Sequence, residues 1–547
     1  MGEIVMTQGN FDYIVIGAGS AGCTIASRLS EDHRNRVLLI EAGKKDRDPF
    51  IHLPVGFAKM TEGPLTWGYS TEPVAHANNR VLVYPQGKVL GGGSSINAMV
   101  YTRGCLDDYD RWADVEGCTG WSGEDVLPYF IRSESNVRYS RPHHGDSGPL
   151  SVSDNSHISP MTRVFVKAAQ QAGLPYNADF NGAQQAGCGF YQTTTRNGRR
   201  CSAAVGYLKP ALDRTNLQLL TQCVVRRVLF EDRRAVGVEY EVDGRIEQAR
   251  ASGEIVITSG AIGSPKLLML SGIGPVGELA HHGIPVLKDA AAVGGNLQDH
   301  MDVDIVAELR GPFSYDKYKK PHWKLWAGME YLMFRRGPVS SNIVEGGAFW
   351  WSDRKEKTPD LQFHFLAGAG VEKGIGSVPG GNGCTLNSYH LRPRSRGSVK
   401  LASNDPSEAP KIDLNCFSDP YDLERGIDGV KLSLSILSQK AFEPFIRRIH
   451  MPGHDLQSHD EFADFVRSHA RTAYHPVGTC RMGGSEASVV DPELRVRGVE
   501  GLRVCDSSVM PRIVSSNTNA PTIMLAEKAS DLILGKANRQ ADLKLVS

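Results

Sequence analysis

The alternation of apolar and polar positions divides the chain before any chemistry is considered. Phe11 to Ile16 is an apolar, β-branched run that reads as a buried strand; Ile25 and Leu29 then repeat at helical spacing, and Val37 to Ile40 is a second strand ending on Glu41. Helical spacing returns over Trp112 to Phe130, with Trp121 and Pro128 as breaks, and over Met161 to Ala172. Leu217 to Tyr240 alternates as a β-hairpin, and Glu254 to Gly260 is a buried strand running into a glycine and a helix-like stretch, Ala261 to Gly274. From about 310 to 470 the texture becomes one of alternating strands. Leu361, Phe363 and Phe365 interleave there with Gln362 and His364, which predicts a sheet with one buried and one polar face. A last helix is predicted from about Pro521 to Leu534, with Ile523, Ala526, Ser530 and Ile533 on one face; the final dozen residues read as frayed.

Between the first strand and the first helix lies Gly17-Ala18-Gly19-Ser20-Ala21-Gly22, a GxGxxG turn. Gly17 permits the tight turn, Gly19 lets the backbone approach a pyrophosphate, and Gly22 lets the helix pack close on the strand. The helix N-terminus offers free N–H groups to phosphates, and Glu41 can accept hydrogen bonds from an adenosine ribose. This unit predicts a bound dinucleotide and leaves NAD and FAD both open. A second glycine-rich stretch, Pro85 to Gly104, is a poor helix or strand interior but a good cradle for a flat or phosphorylated ligand.

At 547 residues the chain exceeds what one hydrophobic core usually supports, so two domains are expected. Its 61 basic and 61 acidic side chains balance, which points away from nucleic acid and an anionic membrane surface and toward a small-molecule partner. The first ten residues lack a basic segment followed by an apolar one, and no apolar run approaches the roughly eighteen residues of a membrane span. The expectation is a cytoplasmic protein. Ten cysteines without a CxxC pair or Cys/His cluster predict buried free thiols and no metal site. Trp323, Trp326, Phe349, Trp350 and Trp351 mark an aromatic-rich region that, with the polar sheet face, reads as a substrate domain. Trp67 and Tyr69 read as core or domain-interface aromatics, Arg199 and Arg200 as solvated, and His300 as a hydrogen-bonded structural histidine.

These pieces, in this order, resemble the glucose-methanol-choline (GMC) family of flavoprotein oxidoreductases over nearly the whole chain. The GAGSAG turn with Glu41 is similar to the family's ADP-binding unit, Gly87 to Asn97 to its first signature, and Gly260 to Gly274 to its second. His475 within HPVGT and Asn519 within NTNAPTIM fall where that family keeps its active-site pair. The resemblance implies FAD and an α/β fold. A Rossmann-like FAD-binding domain of GMC type would comprise 1–150, 210–310 and 475–547, and a discontinuous α+β substrate domain on an antiparallel sheet would comprise 151–209 and 311–474. It assigns to FAD Gly17, Gly19, Ser20, Ala21, Gly22, Glu41 and Ala42, then Gly87, Val89, Gly92, Ser95, Asn97, Ala98, Met99 and Val100. Val225, through its backbone, joins them, with Ser259, Gly260, Asp506, Ser507, Pro521 and Thr522. Ile96 stands where some relatives attach FAD through a histidine, so non-covalent FAD is expected.

Oxidising an alcohol requires removing the hydroxyl proton and moving the carbon-bound hydrogen as hydride to the flavin N5. The site therefore needs a base beside a hydrogen-bond partner for the developing alkoxide. By the resemblance His475 is the base and Asn519 the partner. Within the family, residues 51–60, 76–80, 337–350 and 361–366 are similar to FAD-dependent L-sorbose dehydrogenases. That implies oxidation of L-sorbose to L-sorbosone, with Asn342, Glu345 and His364 on the substrate side. Choline or another alcohol is an alternative, with Glu345 and the tryptophans as a cation site. So is a redox-silent hydroxynitrile lyase on the same fold. The electron acceptor, whether quinone, dye or oxygen, has no motif.

Overall fold

The computed structural model describes residues 5–372 and 374–536; the stretch read as frayed lies outside them except for Lys536. Val5–Ile16 pairs in parallel with Val37–Glu41 on one side and Arg245–Ile257 on the other. Leu217–Thr221 lies parallel beyond Val37–Glu41, and Leu502–Val504 lies parallel to the end of Arg245–Ile257. Arg234–Val242 and Val224–Glu231 continue the sheet antiparallel. Ile14, Val15, Leu38, Leu39, Ile255 and Val256 are wholly buried, because helices cover both faces of a parallel sheet and leave no solvated side.

The register of these strands positions the site. Ile16 stands opposite both Ile40 and Ile257, and Ile257 opposite Val504, so four parallel strands end at one level. Gly17, Glu41, Thr258 and Cys505 therefore emerge together at the carboxyl edge, where sheets of this kind bind ligands.

The first helix, Ser20–Leu29, packs on the last, Asn519–Ile533. Between them Glu527, fully buried, accepts from Arg28 at 2.9 and 2.7 Å and from the Tyr207 hydroxyl at 2.7 Å, and sits 2.7 Å from Arg132. Replacing Glu527 with alanine takes the buried carboxylate from both guanidinium groups, leaving Arg28 with Glu31 and Arg132 with Asp531 alone, and leaves the Tyr207 hydroxyl without its acceptor. The expected cost is about 3–5 kcal/mol, read as a lower urea midpoint.

A second, antiparallel sheet runs Ile446–Met451, Met301–Leu309, Gly383–His390, Leu361–Leu366, Gly346–Trp350, Gly187–Phe190, with Arg471–Thr472 beside the start of Met301–Leu309. Met301–Leu309 thus belongs to the substrate side, which moves the boundary expected at 310 back to about 300. Ala204–Leu208 packs on the first helix, so the end of the 151–209 segment joins the dinucleotide side.

Two expectations on secondary structure are corrected. Residues 310–470 are not strands alone: Pro321–Phe334, Pro420–Leu437 and His459–His469 are helices. Leu423, Ile427 and Val430, spaced for a helix, bury the middle one against the sheet. Trp112 to Phe130 falls into two helices, Leu106–Asp114 and Gly123–Ser133, separated where Gly117 and Gly120 take φ of 67° and 81°. The predicted two-faced sheet is present, with a difference. Val303, Ile305, Phe363, Phe365 and Leu386 form its apolar face, while Asp302, Asp304, Gln362, His364 and Asn387 share the other, which is turned inward to a cavity instead of to solvent.

All ten cysteines are free, and all but Cys105 are buried. Among the described residues no His/Cys/Asp/Glu group suits a metal, and no helix is long and apolar enough to cross a membrane.

Candidate active site

The cavity lies between the carboxyl edge of the first sheet and the polar face of the second. Gly17, Gly19, Ser20, Ala21, Glu41, Ala42, Ser259 and Gly260 line it from the first sheet. Gly87, Gly92, Asn97, Ala98, Met99, Val100, Val225, Asp506, Ser507, Asn519 and Thr522 complete that wall. Four residues assigned to the cofactor do not reach it. Gly22 serves the turn: a Cβ there would sit 1.8 Å from the Gly17 carbonyl oxygen. Ser95 turns its hydroxyl to the Leu90 carbonyl at 2.7 Å, Val89 packs with Ile51 and Met60, and Pro521 is buried in the first turn of the last helix.

This wall fits a dinucleotide. The helices beginning at Ser20 and Asn519 have no side-chain cap, and their first turns line the cavity, so unpaired N–H groups face it from two directions. Gly92, at φ 51°, approaches Gly19 so closely that a Cβ would lie 2.7 Å from the Gly19 Cα, leaving bare backbone for a flat ligand. Glu41 accepts from the N–H groups of Ala18 and Gly43, both at 2.7 Å, and burial lifts its carboxyl to about 7. Asp506 accepts from Gly260 N–H at 2.9 Å and Ser508 N–H at 2.8 Å, tying the second signature to the strand end beside it.

Arg200 is a correction to the reading of solvated arginines. It is 2 % exposed and donates to the carbonyls of Ile51 at 2.7 Å, Ser94 at 3.1 Å and Asn97 at 2.6 Å, and to the Asn97 Oδ1 at 2.8 Å. It clamps the glycine-rich cradle from behind.

His475 lies across the cavity, and its partner is Asn517, not Asn519. Asn517 Oδ1 accepts from Thr102 Oγ1 at 3.0 Å and Gln362 Nε2 at 3.1 Å, which turns its NH₂ toward His475 Nε2, 3.1 Å away. Asn519, two residues on, begins the last helix and accepts from Ser20 Oγ at 2.8 Å, joining that helix to the GxGxxG turn.

The tautomer of His475 follows from its other neighbour. His300 Nε2 meets the Leu391 carbonyl at 3.1 Å, and a carbonyl only accepts, so that nitrogen carries the hydrogen. Burial keeps the His300 ring neutral, leaving its Nδ1 as an acceptor for the Nδ1–H of His475 at 3.1 Å. The Nε2 of His475 then carries no hydrogen and accepts from the Asn517 amide. Burial holds this imidazole down to about 3, so it is unprotonated near neutral pH. Asp299 pins both histidines, accepting from each backbone N–H at 2.8 Å and from the hydroxyls of Tyr84 and Thr472.

Of the substrate residues expected, only His364 lines the cavity; burial pulls it to about 3. Glu345 is fully buried and saturated by Ser159 N–H, Thr162, Ser341 and Tyr315, away from the cavity. Asn342 donates to the Ala98 carbonyl at 2.6 Å and so braces the cradle. The expected tryptophans do not form a cage: Trp323 and Trp326 are exposed, and the aromatic rings at the cavity are Phe57, Trp67, Tyr69 and Tyr474. Trp67 and Tyr69, read as core or interface aromatics, therefore face the ligand space.

A charge cluster closes the same cavity. Arg471 meets Asp302 at 2.8 Å, Asp304 at 3.0 Å and Glu372 at 2.9 Å. Burial raises the carboxyls of Asp302 and Glu372 against the pull of Arg471. Arg471 and Asp299 carry no signal in the sequence, whereas Gln362 lies on the predicted polar face and Asn517 opens the NTNAPTIM stretch that holds Asn519, the expected partner.

The chain belongs to the GMC oxidoreductase family, whose models match residues 11–302 and 393–526. It is 43 % identical over 534 residues to an alcohol dehydrogenase [acceptor] of Pseudomonas putida, spanning 96 % of each chain. It is 44 % identical over 528 residues to an oxygen-dependent choline dehydrogenase of Sinorhizobium fredii, again across 96 % of both. Among solved structures, pyridoxine 4-oxidase from Mesorbium loti superposes with a TM-score of 0.87 at 30 % identity, over 95 % of this chain and 98 % of that one. Formate oxidase superposes with a TM-score of 0.90 at 27 % identity, over 96 % and 98 %. The protein is an FAD-dependent flavoprotein. Because Ile96, at the cavity wall, has no nucleophilic atom, acid precipitation is expected to release all yellow colour to the supernatant; colour left in the pellet contradicts non-covalent binding.

Proposed function

We propose that this protein oxidises a primary alcohol to the aldehyde, with His475 as the base and Asn517 as the holder of the alcohol oxygen. Bound FAD supplies the hydride acceptor, through its N5. The observation that carries the reading is the unprotonated Nε2 of His475 hydrogen-bonded to the oriented amide of Asn517, both on the cavity wall. A hydroxyl that replaces the direct bond between them accepts from the Asn517 amide and gives its proton to His475 Nε2. The nascent alkoxide stays held by that amide while its carbon gives up hydride. His300 keeps the accepting nitrogen free, and Thr102 and Gln362 keep the Asn517 amide from flipping.

For the substrate, two readings are distinguished by charge. L-sorbose, converted to L-sorbosone, suits the polar sheet face carrying His364 and Asn387. A cationic alcohol such as choline is favoured by Asp302, Asp304 and Glu372, three carboxylates around the single Arg471, two of them on the wall. A cation there relieves the burial cost that raises Asp302 and Glu372. Anaerobic titration of the holoenzyme with L-sorbose, choline and a simple primary alcohol separates them. Loss of the oxidised flavin band supports oxidation and names the class; an unchanged band with all three, in an enzyme that dithionite reduces, favours the lyase alternative.

A further inference from the structure

The helix Pro321–Phe334 is apolar on the side that faces water. At about 100° per residue, Leu325, Trp326, Met329, Leu332 and Met333 fall on one stripe, the i, i+4, i+7 pattern that ordinarily packs on a core. Here that stripe lies opposite Ala327 and Tyr331, the only two residues of the helix that are buried. Leu325 is 67 % exposed, Leu332 72 % and Met333 63 %. A contiguous apolar surface of this kind marks a docking site.

Charge identifies what docks. Residues 316–336 hold six basic side chains, Lys317, Lys319, Lys320, Lys324, Arg335 and Arg336, against two acids, Asp316 and Glu330. Lys319 and Arg336 each engage one of those acids, at 2.7 and 3.8 Å, leaving a local positive excess at both ends of the helix. The zero net charge of the whole chain conceals it. A two-fold pairing with a second copy would set lysines at one end against arginines at the other, so like charges would meet at both ends. An anionic lipid surface has the complementary sign. Fourteen residues span about 21 Å as a helix, short of the roughly 20 residues needed to cross a bilayer but long enough to lie in its interface. Trp323 and Trp326, 6.1 Å apart edge to face and both exposed, carry the amphipathic rings that settle at headgroup depth.

We propose that Pro321–Phe334 is an in-plane membrane-docking helix that seats the enzyme on anionic phospholipid. The placement has a consequence for access. From Phe334 the chain continues through Pro338–Ser340, which packs on Pro54–Lys59, to Val344; Phe57 and Val344 are both cavity walls. Docking brings that wall toward the lipid phase.

The test is co-sedimentation of the FAD-loaded enzyme with phosphatidylcholine vesicles, with and without phosphatidylglycerol, at low and high salt. Wild type should pellet with the anionic vesicles and detach as salt rises. The double substitution Leu325→Glu/Leu332→Glu should lower the bound fraction at least about tenfold while flavin content and the rate of flavin reduction stay unchanged, since neither residue touches the cavity. Lys320→Gln/Lys324→Gln should weaken binding to anionic vesicles only. Wild type that stays in the supernatant, or Glu variants that bind as wild type does, overturns the proposal. So does a solution dimer that the Glu variants convert to monomer, because a second copy then covers the stripe.

Discussion

His475→Ala lowers the rate of anaerobic flavin reduction by about 10³-fold while the protein keeps its flavin. The expectation rests on position. His475 sits on the wall opposite the glycine cradle, its Nε2 carries no hydrogen, and its imidazole is unprotonated at working pH, so its loss removes the acceptor for the hydroxyl proton and nothing that holds the dinucleotide. Absorbance of the purified variant reports flavin content, and stopped-flow mixing with the best alcohol reports the rate. A variant that reduces its flavin within about tenfold of wild type gives the base another identity.

Asn517→Ala costs about 10²-fold in the same assay, the scale of one lost donor to a developing oxyanion, while Asn519→Ala leaves the reduction rate near wild type and weakens FAD retention instead. The two asparagines separate because one donates beside His475 and the other is tied to Ser20 at the cofactor turn. Comparing the pair controls for folding, since both lie in the same six-residue segment 515–520. If Asn519→Ala instead abolishes reduction and Asn517→Ala does not, the roles are reversed.

That pair also shows what a sequence can and cannot hold. The GxGxxG turn and Glu41 are legible because their function depends on local backbone: a strand, a turn and a helix start that neighbouring residues dictate. Which asparagine of NTNAPTIM meets His475 depends on where the last helix begins, and a two-residue difference in that start, about half a turn, exchanges their directions. Glu345 reads as an available carboxylate until its four donors, from residues 159, 162, 315 and 341, are brought to it by the tertiary fold. Arg199 and Arg200 are indistinguishable as neighbours, yet on a two-residue strand they point to opposite sides, one exposed and one into the cradle. Residues 321–334 read only as part of an aromatic-rich region of strands, and the fold reveals both the helix and the apolar stripe it leaves exposed.

The proposed role of His475 is to take the hydroxyl proton on its Nε2. The most direct measurement is the pH dependence of anaerobic flavin reduction in wild type and His475→Ala. With the base removed, the alcohol must ionise on its own, so the rate of the variant should climb about tenfold per pH unit at alkaline pH while wild type changes little. A variant whose rate is flat with pH, parallel to wild type at every point, would show that His475 does not carry that proton.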